Sequence, residues 1–565
     1  MHAFTRLGAL ALVLLLTAAC SGDPSTPPGP AASGDAALVA RAGAPLFEGM
    51  GEYQRSITTA DPGAQRYFNQ GMVLAFGFNH AESIRSFRAA QRLDPNCAMC
   101  FWGEALATGP NINVTANGKA VMSEAEQAAA YAALQRAVAL QDKGNAVERD
   151  LIDALTTRYS SQAVEDREPF DRAYAAAMGE LNMKYPADDD IAAMFAEAWM
   201  NTMPWDYWSD AETPRPETVP VIAALEGILE RNPRHALGLH LYIHAVEASG
   251  NPARAETAAD TLADLVPGSG HLVHMPAHIY WRVGRYHDAS QANVRAAAVD
   301  EEYIAQCNAQ GFYPALYYPH NIHFLWAAAS MEGRSQVAID AARKVAANVR
   351  LEQVQEFPSI EFFRTIPLLA LTQFGRWNEI LAEPAPPQDL HYSTAIWHYA
   401  RGTAFANTGQ IAAAERALEA LRPLRDSVQM EFLDAAAYPA TVLLGIAAEL
   451  LSGEIALAQD EPQRAVGPFQ TAVDMQDQLP YTEPPFWYYP TRQSLGLALM
   501  RAQQFSAAEA VYRRDLRDYP RNGWSLYGLI RSLEAQQRSA EALELQAHFE
   551  TIWSLADVTL TESRL

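Results

Sequence analysis

Residues 64–97 read AQRYFNQGMVLAFGFNHAESIRSFRAAQRLDPNC. Their apolar positions recur with helical spacing in two runs broken near Phe78–Asn79, which predicts two helices joined by a tight turn. The pattern returns: Pro233 and Pro267 stand 34 residues apart, and the segment between them again reads as a helical pair. Segments such as 122–202 and 395–425 are helical with weaker punctuation, and no alternating strand pattern holds over any length. The chain therefore predicts an all-α array of helical hairpins.

With Ala64 as position 1, Gly71 falls at 8, Ser83 at 20, Phe87 at 24, Ala90 at 27 and Pro95 at 32. A unit from Ala236 puts Ala255 at 20 and Ala259 at 24, and one from Gly270 puts Ala277 at 8, Gly284 at 15 and Ala289 at 20. Further units start at Pro319 and at Tyr489, the latter with Gly496, Ala508, Tyr512 and Pro520 in register. This arrangement resembles the tetratricopeptide repeat, whose small residues at 8, 20 and 27, aromatic at 24 and proline at 32 let two helices pack closely. The resemblance covers roughly residues 50–555 and implies a superhelical solenoid. It also implies that positions 2, 5, 9, 12 and 13 of each first helix line an inner, concave surface.

That frame orders the histidines. His240 falls at position 5, His244 at 9 and Glu247 at 12; His271, His274 and His278 fall at 2, 5 and 9; His320 and His323 fall at 2 and 5. Of the eight histidines between 236 and 352, seven take inward positions and only His287 does not. Residues three or four apart on a helix stack one turn above another. Packed helices lie about 8–10 Å apart, a gap that two imidazoles and an ion can bridge. The expectation is a metal site of one or two ions on the concave face. A metal-free polar binding surface and ordinary hydrogen-bonded histidines are the competing readings. Neutral imidazole suits zinc, copper, iron or nickel; many histidines with little carboxylate favour copper or zinc, with iron as a further candidate. Three imidazoles per ion leave a position open for water or oxygen. Glu247 is a candidate ligand, catalytic general base or tautomer-fixing partner, and His235 is a reserve ligand.

The insertion CNAQGFYPALYY before Pro319 reads either as an aromatic loop over the groove or as a loop packing its own rings on the helices. In the first reading Tyr313 and Tyr317 contact substrate. The aromatic stretches MPWDYWSD (203–210) and EPPFWYYPTR (483–492) read chiefly as seals between helices, with Tyr489 and Arg492 as further candidates for substrate contact. Cys97 and Cys100 form CAMC at a helix entry and fit a local disulfide, a redox-active pair or, with His80, metal ligation. Phe101 stands where covalent haem attachment needs histidine. Cys307, in the aromatic insertion, is expected as a lone thiol near the histidines.

The chain opens MHAFTRLGALALVLLLTAAC, with Arg6 followed by an apolar run from Leu7 to Leu16 and small residues before Cys20. That run is too short to span a bilayer and has the layout of a secretory signal. It resembles the lipobox of bacterial lipoproteins, which implies that Cys20 is acylated and anchors the protein in a bilayer. Ser21 resembles the outer-membrane sorting class, giving a cell-envelope location facing the periplasm. The formal charge of -24 argues against nucleic acid as a partner. The expected organisation is a signal over 1–19, an anchored cysteine and flexible tether over 20–49, and helical repeats with the CxxC over 50–217. Histidine-bearing repeats follow over 218–352 and C-terminal repeats over 353–565. Two functions follow. One is an exported lipoprotein whose histidine-rich metal centre oxidises or hydrolyses a small molecule. The other is a non-enzymatic envelope scaffold that binds a protein or peptide in the solenoid groove.

Overall fold

The computed structural model describes residues 33–116, 119–307 and 312–565; the leader and Cys20 lie outside the described residues. The chain there is all-α and repeat-like, interrupted by two short antiparallel hairpins, Thr115–Ala116 with Lys119–Ala120 and Trp208–Asp210 with Thr213–Pro214. Most helices pack against the next one in sequence.

The first hairpin shows why the sequence folds this way. Asp61 caps the helix Pro62–Phe76 by accepting from the Gly63 amide, and Asn79 caps His80–Leu93. The predicted break lies between them, at Gly77–Phe78–Asn79. The Phe87 ring then fills the space beside Gly71 and Gly103, where an added Cβ would lie 2.8 Å and 2.3 Å from it. Glycine is required there by close approach, which accounts for the small residue at position 8 opposite the aromatic at position 24.

Three expectations change. The tether does not extend to residue 49: Ser33–Ala42 is helical, Ala42 and Ala44 are buried, and the Tyr67 hydroxyl donates to the Ala44 carbonyl at 2.6 Å. Gly49 is also tied in, its carbonyl accepting from the Gly268 amide. The aromatic insertion is not a loop where it is described, because Tyr313–Tyr317 forms a π-helical turn running into the helix Tyr318–Met331.

The third change concerns the groove. C-terminal helices close back on the middle of the chain: the Trp524 indole donates to the Ser330 carbonyl at 3.0 Å, and Asp557 accepts from the amides of Ser335 and Gln336. From the other side, Phe76 and Phe78 of the first hairpin reach His240. The inner face of the histidine-bearing helices is thus covered by protein, and the expected open concavity is interior.

Candidate metal centre

Three hairpins supply the histidines. Helix Ala236–Val246 carries His240 and His244 one turn apart. Helices Gly270–His274 and Pro276–Arg282 are nearly continuous, separated at Met275 because Pro276 offers no N–H. They present His271, His274 and His278. Helix Tyr318–Met331 adds His320 near its start.

Their ring nitrogens gather into two triads, His240/His244/His271 and His274/His278/His320, with ligand atoms in each within 4.8 Å of one another. In the second triad His274 Nε2 lies 2.8 Å from His278 Nε2 and 3.0 Å from His320 Nε2. In the first, His271 Nε2 lies 3.2 Å from His240 Nε2. Two nitrogens on one tetrahedral ion with bonds of about 2.0–2.1 Å stand about 3.3 Å apart, so these spacings need only slight expansion. The triads adjoin, with His244 and His278 ring centres 5.4 Å apart.

The outer nitrogens fix the tautomers. His240 Nδ1 lies 2.7 Å from the Phe76 carbonyl, which can only accept, so Nδ1 carries the proton. His274 Nδ1 lies 2.7 Å from Asn293 Oδ1, and the Asn293 amide nitrogen is committed to the Ala289 carbonyl, which sets that side chain's orientation. Glu247 accepts one hydrogen bond from each triad: Oε1 is 2.7 Å from His244 Nδ1 and Oε2 is 2.6 Å from His278 Nδ1. In the neutral tautomer with Nδ1 protonated, the Nε2 of each of His240, His244, His274 and His278 is the atom left to accept. Those of His274 and His278 face each other at 2.8 Å, and His244 Nε2 is buried without a hydrogen-bond partner.

Burial acts first on these groups. It pushes His240, His271, His274 and His320 well below the ordinary histidine range, and neighbouring rings add to the effect. Burial alone would raise the Glu247 carboxyl, but His278 and His244 hold it down at about 2. Burial thus favours the neutral form of His240, His271, His274 and His320 beside one ionised carboxylate. Through these contacts Glu247 orients His244 and His278, and with them it forms a third group whose ligand atoms lie within 4.8 Å of one another.

Aromatic rings wall the site. Phe78 lies 4.6 Å from His240 and 5.2 Å from His271, while Phe324 lies 5.2 Å from His274 and 5.3 Å from His278. Tyr317 meets His271 edge-on at 4.9 Å, and Trp205 meets His244 at 5.2 Å. Phe78 and Trp205 both hold positive φ, at 56° and 65°, a conformation that side chains rarely adopt.

Several sequence candidates lie elsewhere. His323 is buried among Trp326, Phe362 and Phe363, apart from both triads. His235 caps its helix through the Gly238 amide and bonds Asp190 at 3.0 Å. Tyr313 is bonded to Asp300. Tyr489 lies under the Arg564 guanidinium and bonds Ser494, and Arg492 pairs with Asp477. Cys97 and Cys100 form a buried disulfide, and His80 bonds Asn111 instead of joining them. Cys307 is buried beside Arg85.

Sequence reasoning missed Phe76, Phe78, Trp205, Asn293, Tyr481 and Glu483. Asn293 left a signal, since it occupies position 24 of its unit, where Phe87 and Tyr512 stand in theirs.

Fold and centre together define an all-α helical-repeat protein with histidine and glutamate clusters that could hold a metal ion. No protein-family model matches the chain, and no curated protein matches it. Among solved structures it is similar to the APC/C hetero-tetramer Cut9–Hcn1, at 14% identity and TM-score 0.29, over 89% of this chain and 76% of that one. It is similar to the human IFIT1 dimer with m7Gppp-AAAA at 12% identity and TM-score 0.30, over 88% and 90%. The likeness to yeast Tom70 is 11% identity and TM-score 0.26, over 86% and 89%. These likenesses are distant, and the repeat architecture stands on the helices themselves.

Proposed function

We propose that this is a metalloprotein of the tetratricopeptide type whose interior holds a pair of metal ions, one on each histidine triad. The observation that carries the reading is the meeting of His274 Nε2 and His278 Nε2 at 2.8 Å with both Nδ1 protons already committed. Two buried lone pairs at that distance repel unless a proton or a metal ion lies between them, and the convergence of a third nitrogen, His320 Nε2 at 3.0 Å, is what supports the metal ion. Uncharged imidazole favours copper or zinc, with iron next. Three nitrogens per ion leave room for water, dioxygen or a small substrate, which supports oxidation or hydrolysis of a small molecule. The leader sequence supports export and anchoring through acylated Cys20, at the outer membrane facing the periplasm.

A second reading, a non-catalytic scaffold for a protein or peptide, is favoured by the helical-repeat architecture and by an outer cleft of about 1010 Å³. Tyr53, Arg55, Asp188, Asp190, Arg234 and His235 are among its lining residues. The deciding experiment is elemental analysis of mature protein purified without chelator or histidine tag, beside a His244→Ala/His278→Ala variant. Two equivalents of copper, zinc or iron, largely lost in the variant, support the metal centre and select an assay of oxygen consumption or hydrolysis. A folded parent that takes up no ion after reconstitution overturns it and leaves the scaffold.

A further inference from the structure

Glu247 bonds a histidine of each triad, and it is held from far along the chain. Tyr481, 234 residues later, places its hydroxyl 3.2 Å from Glu247 Oε2 and in close contact with Glu483 Oε1. Arg282 sits over the Tyr481 ring at 5.3 Å and donates to the main-chain carbonyl of Glu247. Glu483 is buried, 6% exposed.

A phenol has one proton to give. The Tyr481 hydroxyl reaches both Glu247 Oε2 and Glu483 Oε1, and burial pushes the Glu483 carboxyl well above its usual range, which favours the acid form as a donor to Tyr481 and leaves the phenol proton for Glu247. A rotation of the Glu247 carboxylate would move His244 and His278 in opposite senses, since each hangs on a different oxygen.

We propose that Tyr481 is a positioning residue that couples the two ion sites by locking Glu247 in the orientation that presents both triads together. The inference rests on the metal-centre reading. Tyr481 touches no ligand nitrogen; it acts through the carboxylate. Second-sphere partners of this kind are worth about 10–100-fold in metal affinity.

The test loads the metal-free mature chain with Cu(II) alone, in wild type, Tyr481→Phe and, as a control remote from the centre, Tyr399→Phe. Stepwise affinities come from competition dialysis and the coupling from electron paramagnetic resonance. Wild type and Tyr399→Phe are expected to bind two ions and to lose signal intensity through magnetic coupling. Tyr481→Phe is expected to bind the second ion about 10-fold or more weakly and to recover an uncoupled Cu(II) signal. Equal second-ion affinity and an unchanged spectrum in Tyr481→Phe overturn the proposal, as does a fall in melting temperature with no change in either readout. Wild type that stops at one ion overturns it too, whereas wild type that binds none sinks the metal centre itself. Should Tyr481→Phe fail to fold, Glu483→Gln against Glu483→Ala carries the test. The amide can still donate to Tyr481 and should keep the coupling, the alanine should lose it, and identical behaviour of the two overturns the proposal.

Discussion

The histidine-bearing hairpins and the C-terminal hairpins use one packing plan for opposite ends. Near the C-terminus the Tyr512 ring fits beside Gly496 and Gly528, where an added Cβ would lie 2.4 Å from it. Its hydroxyl bonds Ser563, and buried Asp515 accepts from Asn522 and Ser525. Polar groups there bond mainly to one another, with Asp515 Oδ1 left over. In the middle, small residues again hold the hairpins together, but the inward positions carry imidazoles whose ring nitrogens meet one another. A repeat that separates packing positions from facing positions can load the facing ones with chemistry without disturbing the hairpin.

The largest expected effects separate those two kinds of position. Tyr512→Ala empties a buried aromatic site and should cost about 3–5 kcal/mol of unfolding free energy, with metal content unchanged. His274→Ala/His278→Ala should leave the helices folded, because it removes a repulsive contact, yet lower metal affinity by more than about 100-fold, given that outer partners alone are worth 10–100-fold. Denaturant unfolding and chelator competition on both variants check the pair. Equal metal loss in Tyr512→Ala would mean that the two regions are not separable.

Metal removal comes next. An ion that binds only the folded state adds about 2.7 kcal/mol when free metal is 100 times its dissociation constant. Wild type should therefore melt higher with Zn(II) or Cu(I) and lose the gain on chelation. The His274→Ala/His278→Ala variant should lose most of that response, while Tyr512→Ala should keep it whole from a lower starting temperature. Differential scanning calorimetry reads all three.

The comparison also marks what could be read in the sequence. The hairpin frame was legible because glycine against aromatic recurs at fixed spacing, as with Gly71 and Phe87, and the same frame gathered six imidazoles that do meet in two triads. It misplaced His323, because the helix from Tyr318 turns His320 and Phe324 to the centre and position 5 towards Phe362 and Phe363. It read an open groove because the closing contacts, Phe76 to His240 and Tyr481 to Glu247, join residues 164 and 234 apart in the chain. Local periodicity carries nothing about such distances. Glu247 was legible as polar and inward, but its role required knowing which nitrogens its two oxygens meet.

Acid and alkali should pull on the two regions in opposite directions. In the metal-free centre, folded His240, His271, His274 and His320 stay neutral below the ordinary value of 6.5, while the unfolded chain takes up protons there. Stability from these groups is present above about pH 6.5 and falls as the pH drops. Glu247, held at about 2 against 4.5, extends the loss below pH 4.5. Asp515 has the other sign: burial raises it to about 7 from 3.8, so its contribution is full below 3.8 and declines as the pH rises towards 7. Each group sets a slope of up to about 1.4 kcal/mol per pH unit. Asp515→Asn, the neutral mimic, should flatten the profile between pH 4 and 7 and leave the acid side unchanged. A parallel profile for the variant would show that Asp515 ionises freely in the fold.

The smallest effect lies in the turns. Gln503 and Phe78 occupy the same place in two hairpins: each amide bonds the carbonyl three residues back, the next bonds five back, and φ is 59° and 56°. An L-residue in that left-handed conformation costs about 1–2 kcal/mol relative to glycine. Gln503 is exposed, so Gln503→Gly should stabilise the protein by up to about 1 kcal/mol, less whatever glycine's freer unfolded chain takes back. Phe78 bears the same backbone cost, but its buried ring covers His240 and His271. Phe78→Gly should therefore lose stability and weaken metal retention together. Urea unfolding of the two glycine variants tests whether the strained aromatic turn is tied to the centre. If Phe78→Gly gained stability as Gln503→Gly does, with metal retained, the ring would be incidental and the turn would belong to the repeat alone.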